Sequence, residues 1–195
     1  MQLLKCSIFS IFFFLLHNIA IAQTTVTVTW TEKTKLPETE TIYYKPSQKL
    51  TWKDFLGTPP PPSSIAAITS SGFGYSASMK RVNDKVDIKI LVYCFFNKPK
   101  SWVRVKNKTV YILEHEQHHF DATYLATVEF IQKIKAAYIT DKNMNAVVGK
   151  LYNEANIAMQ TLQDNYDKET SNGLKKDKQA EWNLFFNNKL APIIN

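Results

Sequence analysis

The stretch Thr109 to Ile139, TVYILEHEQHHFDATYLATVEFIQKIKAAYI, decides how the rest of the chain is read. It holds no proline and no glycine, and Leu113, Phe120, Tyr124, Val128 and Ile131 recur at helical spacing. Thr109 is a suitable N-cap. A long helix is therefore predicted, and it carries an unusual set of polar residues near its start. Downstream, a turn is expected around Thr140 to Asn143. A second helix follows, with Met144, Val147, Val148, Leu151, Ala155, Ala158 and Leu162 on one side, stopping near Asn172-Gly173. A third, from about Lys175 to Leu190, presents Trp182, Phe185, Phe186 and Leu190.

Upstream the period changes from helix to sheet. Val26, Val28 and Trp30 alternate with threonines, and Lys85 to Phe96 is the strongest strand. A stretch punctuated by Gly72 and Gly74 is expected to pair with it. Val86, Ile88, Ile90, Val92, Cys94 and Phe96 share one parity, so Cys94 is expected in the core as a small hydrophobe. Pro59 to Pro62 fit neither helix nor sheet interior and read as an exposed loop. Strands first and helices afterwards predict an α+β domain: a mostly antiparallel N-terminal sheet followed by three helices.

Met1 to Ala22 reads as a secretory signal. Lys5 gives a positive start, Ser7 to Leu16 is apolar, and Ala20-Ile21-Ala22 suits cleavage before Gln23. The expected organisation is a signal peptide over 1–22 and a single domain over 23–195, acting in the periplasm or outside the cell. Cys94 would then be the only cysteine of the mature chain, so no internal disulfide can form. With 45% hydrophobic and 13% aromatic residues and five glycines among 195 residues, disordered and collagen-like classes are excluded. The net charge of +7 allows a basic surface. Lys98, Lys100, Arg104, Lys106 and Lys108 form an acid-free cluster read as a solvated loop, or as a contact for acidic substrates or an anionic envelope surface. Export and the lack of a recognised motif argue against nucleic acid.

The chemistry is concentrated in His115-Glu116-Gln117-His118-His119. Residues four apart on a helix lie about 40° apart around the axis and about 6 Å along it, so His115 and His119 can grip one ion. Two imidazoles suit Zn2+, and Glu116 stands where it can take a proton from a water as that water attacks a carbonyl. Peptide-bond hydrolysis is the expected activity. His118 is read as a supporting or surface residue near Asp121.

A catalytic zinc usually has a third protein ligand, and no histidine of the mature chain lies outside 115–119. If the first two helices fold back about residue 142, residues whose numbers add up to about 284 stand level, at about 1.5 Å of rise per residue. Glu154 then lies about 16 Å beyond His119, while Asp164, Asp167 and Glu169 are within reach. Tyr166 falls at the same height, where a phenol can donate to an oxyanion. Any of these three carboxylates can supply the third ligand.

Three segments carry a resemblance to a known family: Leu50-Thr51-Trp52-Lys53-Asp54-Phe55 with Gly57 and Pro59-Pro60, Leu113 to Asp121, and Tyr166 to Thr170 followed by Gln179 and Trp182. With Ser71-Gly72 and Ser101-Trp102-Val103 they span most of the mature chain. The chain resembles the predicted secreted zinc-dependent proteases grouped as domain of unknown function 922. That resemblance implies a bacterial exported protein, a zincin-like domain with the metal motif on the first long helix, and a peptide or protein substrate. It also points to Asp167, one of the three carboxylates within reach, which is taken as the third ligand. The family pattern has a histidine where this chain has Asn172, which motivates an alternative, a non-catalytic envelope binding protein on a degenerate zincin scaffold.

Overall fold

The computed structural model describes residues 23–61 and 65–194; the expected signal segment and Pro62 lie outside the described residues. The sheet is built around β5 (Lys85–Asn97). Val86, Ile88, Ile90, Val92, Cys94 and Phe96 are fully buried on one face of it, as a strand's twofold alternation requires. Each large aliphatic chain so buried contributes about 1.5–3 kcal/mol. Cys94 is thus a core residue, and burial pushes its thiol well above the ordinary value.

β4 (Ser71–Val82) runs antiparallel along the whole of β5, from Ser71 opposite Phe96 to Val82 opposite Lys85. The tight connection places Asn83 at φ 52, a left-handed conformation that asparagine tolerates. The opposite edge of β5 is shared. β1 (Gln23–Trp30) lies along Lys85 to Val92 and β2 (Thr41–Tyr43) along Phe95 to Asn97. β2 is antiparallel, but β1 is parallel, the one departure from the antiparallel pattern in this sheet. Alternation reports that a segment is a strand and which face is buried; it carries no information on strand direction, which the chain path sets. A separate short pair, β3 (Ala67–Ile68) with β6 (Trp102–Val103), is antiparallel and too short for any period to mark.

Three helices follow. α1 (Val110–Ala136) is capped by Thr109, whose hydroxyl accepts from the Ile112 amide at 3.2 Å. α2 (Met144–Thr170) returns antiparallel after a turn in which Asn143 Oδ1 accepts from the Thr140 amide at 2.7 Å. α3 (Lys176–Ile194) closes the third side. One side of α1 faces the sheet, with Phe120 against Phe96 and Phe130 against Phe73. Its other side faces α2 and α3, where Ala122 packs with Tyr166 and Phe186. Every residue from His115 to Tyr124 is therefore buried, and the polar ones among them need partners inside the protein. Among the described residues no helix is long and apolar enough to cross a membrane.

The segment that follows β2 is tied to α1. Gln117 Oε1 accepts from the Leu50 amide at 2.8 Å, and Tyr44 Oη donates to Asp121 at 2.8 Å. Further along, the Gly57 amide donates to the Ser101 carbonyl at 2.8 Å, and a Cβ on Gly57 would lie 2.6 Å from the Pro99 oxygen and 2.9 Å from that of Ser101. Backbone cannot yield there as a side chain would. Gly57→Ala is expected to lower stability by about 1–3 kcal/mol, read as a drop in the denaturant midpoint; an unchanged midpoint would mean the loop shifts freely.

Arg104 belongs to the fold rather than to a free basic patch. Its guanidinium donates to the Ile65 carbonyl at 3.1 Å and the Pro60 carbonyl at 3.0 Å, and it lies over the Trp102 ring. Lys100, Lys106 and Lys108 are exposed.

Candidate metal centre

His115 and His119 stand one turn apart on α1 with ring centroids 5.0 Å apart. Their Nε2 atoms each lie 3.1 Å from Oδ1 of Asp167, which α2 brings across. The candidate ligand atoms of His115, His119 and Asp167 all lie within 4.8 Å of one another, so this group can hold a metal ion. The antiparallel level count placed Asp167 at this height, and the contact of His119 with Gln163 bears out that count. Glu154 sits elsewhere, 3.9 Å from the Lys133 ammonium, which also pairs with Glu129, about 15 Å of helix rise beyond His119. Asp164 accepts from Gln160 and Glu169 from Trp182, so of the three carboxylates within reach it is Asp167 that converges.

The other ring nitrogens face amide oxygens. His115 Nδ1 is 2.8 Å from Gln179 Oε1, and His119 Nδ1 is 3.2 Å from Gln163 Oε1. The orientation of Gln179 follows from its other end, where Nε2 donates to Tyr166 Oη at 2.6 Å and to Asn183 Oδ1 at 2.7 Å. An amide oxygen only accepts, so each Nδ1 carries the proton and each Nε2 lone pair is left facing Asp167. Three electron-rich atoms at that separation repel one another unless positive charge lies among them, as protons on the rings or as a metal ion. Burial opposes charging of both partners. Even so, the contact with Asp167 and the nearby Glu116 hold His119 above its ordinary pKa, and the two imidazoles hold Asp167 well below the usual carboxylate range.

Glu116 is buried, and its Oε2 has no hydrogen-bond partner. Burial raises its pKa against the opposing pull of His119 and His115. Glu116 lines a cavity of about 270 Å³ together with the triad, Gln163, Asn172 and, from β3 and its approach, residues 65–69. A groove of about 320 Å³ between the three helices contains none of the triad.

Tyr166 does not reach this cavity. It is fully buried and stacks on the His115 ring at 4.6 Å, with its hydroxyl receiving the Gln179 hydrogen bond and lying 3.4 Å from the His115 carbonyl. The oxyanion role expected for Tyr166 is corrected accordingly: it supports His115 from behind. Its height was right, but one residue is about 100° of rotation from Asp167, and the level count carries no rotation. His118 is buried rather than at the surface, bonded to Asp121 at 2.9 Å and Asn183 at 3.1 Å and stacked on Phe186. Asp121 is also fully buried; His118, Lys49 and Gln117 outweigh the burial and keep its carboxyl below the ordinary value.

The sequence reading missed Gln163 and, although Gln179 is among the residues that carry the resemblance, the contact of Gln179 with His115. Gln163 stands at the right height on α2 and was within reach of the level count. Gln179 lies on α3, whose approach no local pattern specifies. Gln179→Leu keeps the bulk and removes the acceptor, leaving His115 free to rotate and its Nδ1–H unpaired. Metal affinity is expected to fall about 10–100-fold, measured by competition with a chromophoric chelator. Unchanged affinity would show that Gln179 does not orient the ring.

No family model, no curated protein and no solved structure matches the chain.

Proposed function

We propose that this protein is an exported zinc-dependent metallopeptidase with a zincin-like arrangement of its metal helix. The observation that carries the reading is the convergence of His115 Nε2, His119 Nε2 and Asp167 Oδ1 beside the unpartnered carboxylate oxygen of Glu116. Two neutral imidazoles and one carboxylate form a donor set suited to zinc, leaving a position open for water or substrate. When bound there, zinc acidifies water and polarises a carbonyl.

The chain's own residues supply the rest. Gln163 and Gln179 hold the two rings in the tautomer that presents Nε2. Glu116 takes a proton from a water in the cavity as the water oxygen bonds to the carbonyl carbon. It returns that proton to the amide nitrogen as the C–N bond breaks. The segment Met1 to Ala22 supports export, and the substrate is then a peptide or protein of the envelope or medium, with cell-wall peptides a member of that class.

The test is purification in the presence of zinc, metal analysis, and incubation with a mixed peptide library with and without chelator. Roughly one zinc per chain and chelator-sensitive cleavage are expected. Folded protein without zinc would sink the reading, and zinc retained without cleavage of any library member would favour the non-catalytic binding protein.

A further inference from the structure

We propose that Asn172 orients the substrate in the cavity, donating a hydrogen bond from its carboxamide to the oxygen of the carbonyl under attack. This rests on the metallopeptidase reading above and assigns a role that Tyr166, turned away behind His115, does not fill. Apart from the triad and Glu116, the polar side chains lining the cavity are Thr69, Gln163 and Asn172. Two of these are committed. Thr69 donates to the Glu116 backbone carbonyl at 3.1 Å, and Gln163 spends its oxygen on His119 and its nitrogen on Thr123. The Asn172 carboxamide makes no hydrogen bond among the described residues and is exposed, so both its donors are free for a ligand.

Its position is built, not incidental. Ser171, Asn172 and Gly173 follow α2 with φ values of 51, 54 and 78, three successive left-handed residues. Asparagine and glycine take that conformation at low cost, whereas bulky or β-branched residues do not. The turn is held at both ends. The Asn172 amide donates to the Asp167 carbonyl at 2.8 Å, and the Gly173 amide donates to Thr170 Oγ1 at 3.1 Å. Gly173 in turn lies flat against His115, since a Cβ there would stand 3.3 Å from ring atoms Cγ and Nδ1, and its carbonyl accepts from Tyr111 Oη at 2.6 Å. The turn that carries Asn172 is therefore fixed to two of the three metal-facing residues. A neutral NH2 donor placed beside such a group suits an oxygen that gains negative charge as the carbonyl is attacked.

The probe is a phosphonamidate tripeptide, whose tetrahedral phosphorus and anionic oxygens replace the carbonyl under attack. Its binding to the zinc-loaded protein is read by calorimetry. Asn172→Gly keeps the left-handed backbone and removes the donor; Asn172→Asp keeps the shape and replaces the donor with an acceptor. Both are expected to weaken phosphonamidate binding by about 10–100-fold, the loss of one hydrogen bond to a charged oxygen, with zinc content retained in both and zinc affinity unchanged in Asn172→Gly. Variants that bind the phosphonamidate as the parent does, or that lose zinc in proportion, overturn the proposal. A parent protein that binds zinc but no phosphonamidate, or no zinc at all, overturns the metallopeptidase reading itself and this role with it.

Discussion

Glu116→Gln is expected to leave the protein folded and able to hold zinc while peptide hydrolysis falls by about 10²–10⁴-fold, the usual contribution of a positioned general base. The two effects separate because Glu116 is not among the converging ligand atoms, which belong to His115, His119 and Asp167. Stability should not suffer. The carboxylate is buried with one oxygen unpartnered, and a neutral amide of the same shape costs less to bury than a charge, so Tm should hold or rise. The acid limb of the parent's rate profile should report the same group. Glu116 works as a base only when ionised, so activity falls as pH drops through its pKa. Retention of most activity in the variant would mean that another group takes the proton, and loss of zinc would place Glu116 among the ligands.

Asp167→Ala is expected to reduce zinc affinity by more than the roughly 10–100-fold typical of residues that only orient a ligand. Glu154→Ala should change nothing at the metal, since Glu154 lies beside Lys133 on a distant part of the hairpin. Chelator competition on the two variants, side by side, tests the assignment; the reverse ranking would overturn it. Asp167→Ala also has a signature in metal-free protein. The depressed Asp167 stabilises the fold above its unfolded pKa of about 3.9, and that contribution is lost as pH falls through the folded value. The raised His119 stabilises below its unfolded pKa of about 6.5, and that contribution is lost as pH rises through the folded value. The stability gap between parent and variant should therefore be widest between about pH 4 and 6.5 and narrow on either side.

Much of the fold was legible because it rests on local periods. The alternation from Val86 to Phe96 identified the central strand and its buried face, and the run from Thr109 identified α1 and its cap. The hairpin of α1 and α2 was legible too, since a short turn between two long helices leaves them little choice but to lie antiparallel. Other features were not. The parallel pairing of β1, the short β3–β6 pair beside the cavity and the clasp of Arg104 on the proline loop depend on where distant segments meet.

The same division runs through the site. The sequence alone determined that His115 and His119 can share an ion and that Asp167, not Glu154, stands at their height, because turn angle and rise per residue are constants of the helical backbone. Rotation about each helix axis and the docking of α3 are products of side-chain packing, which no single segment contains. The tertiary structure therefore decided that Tyr166 lies behind His115, that Gln179 on α3 sets that ring's tautomer, and that Asn172 lines the cavity with its side-chain carboxamide uncommitted.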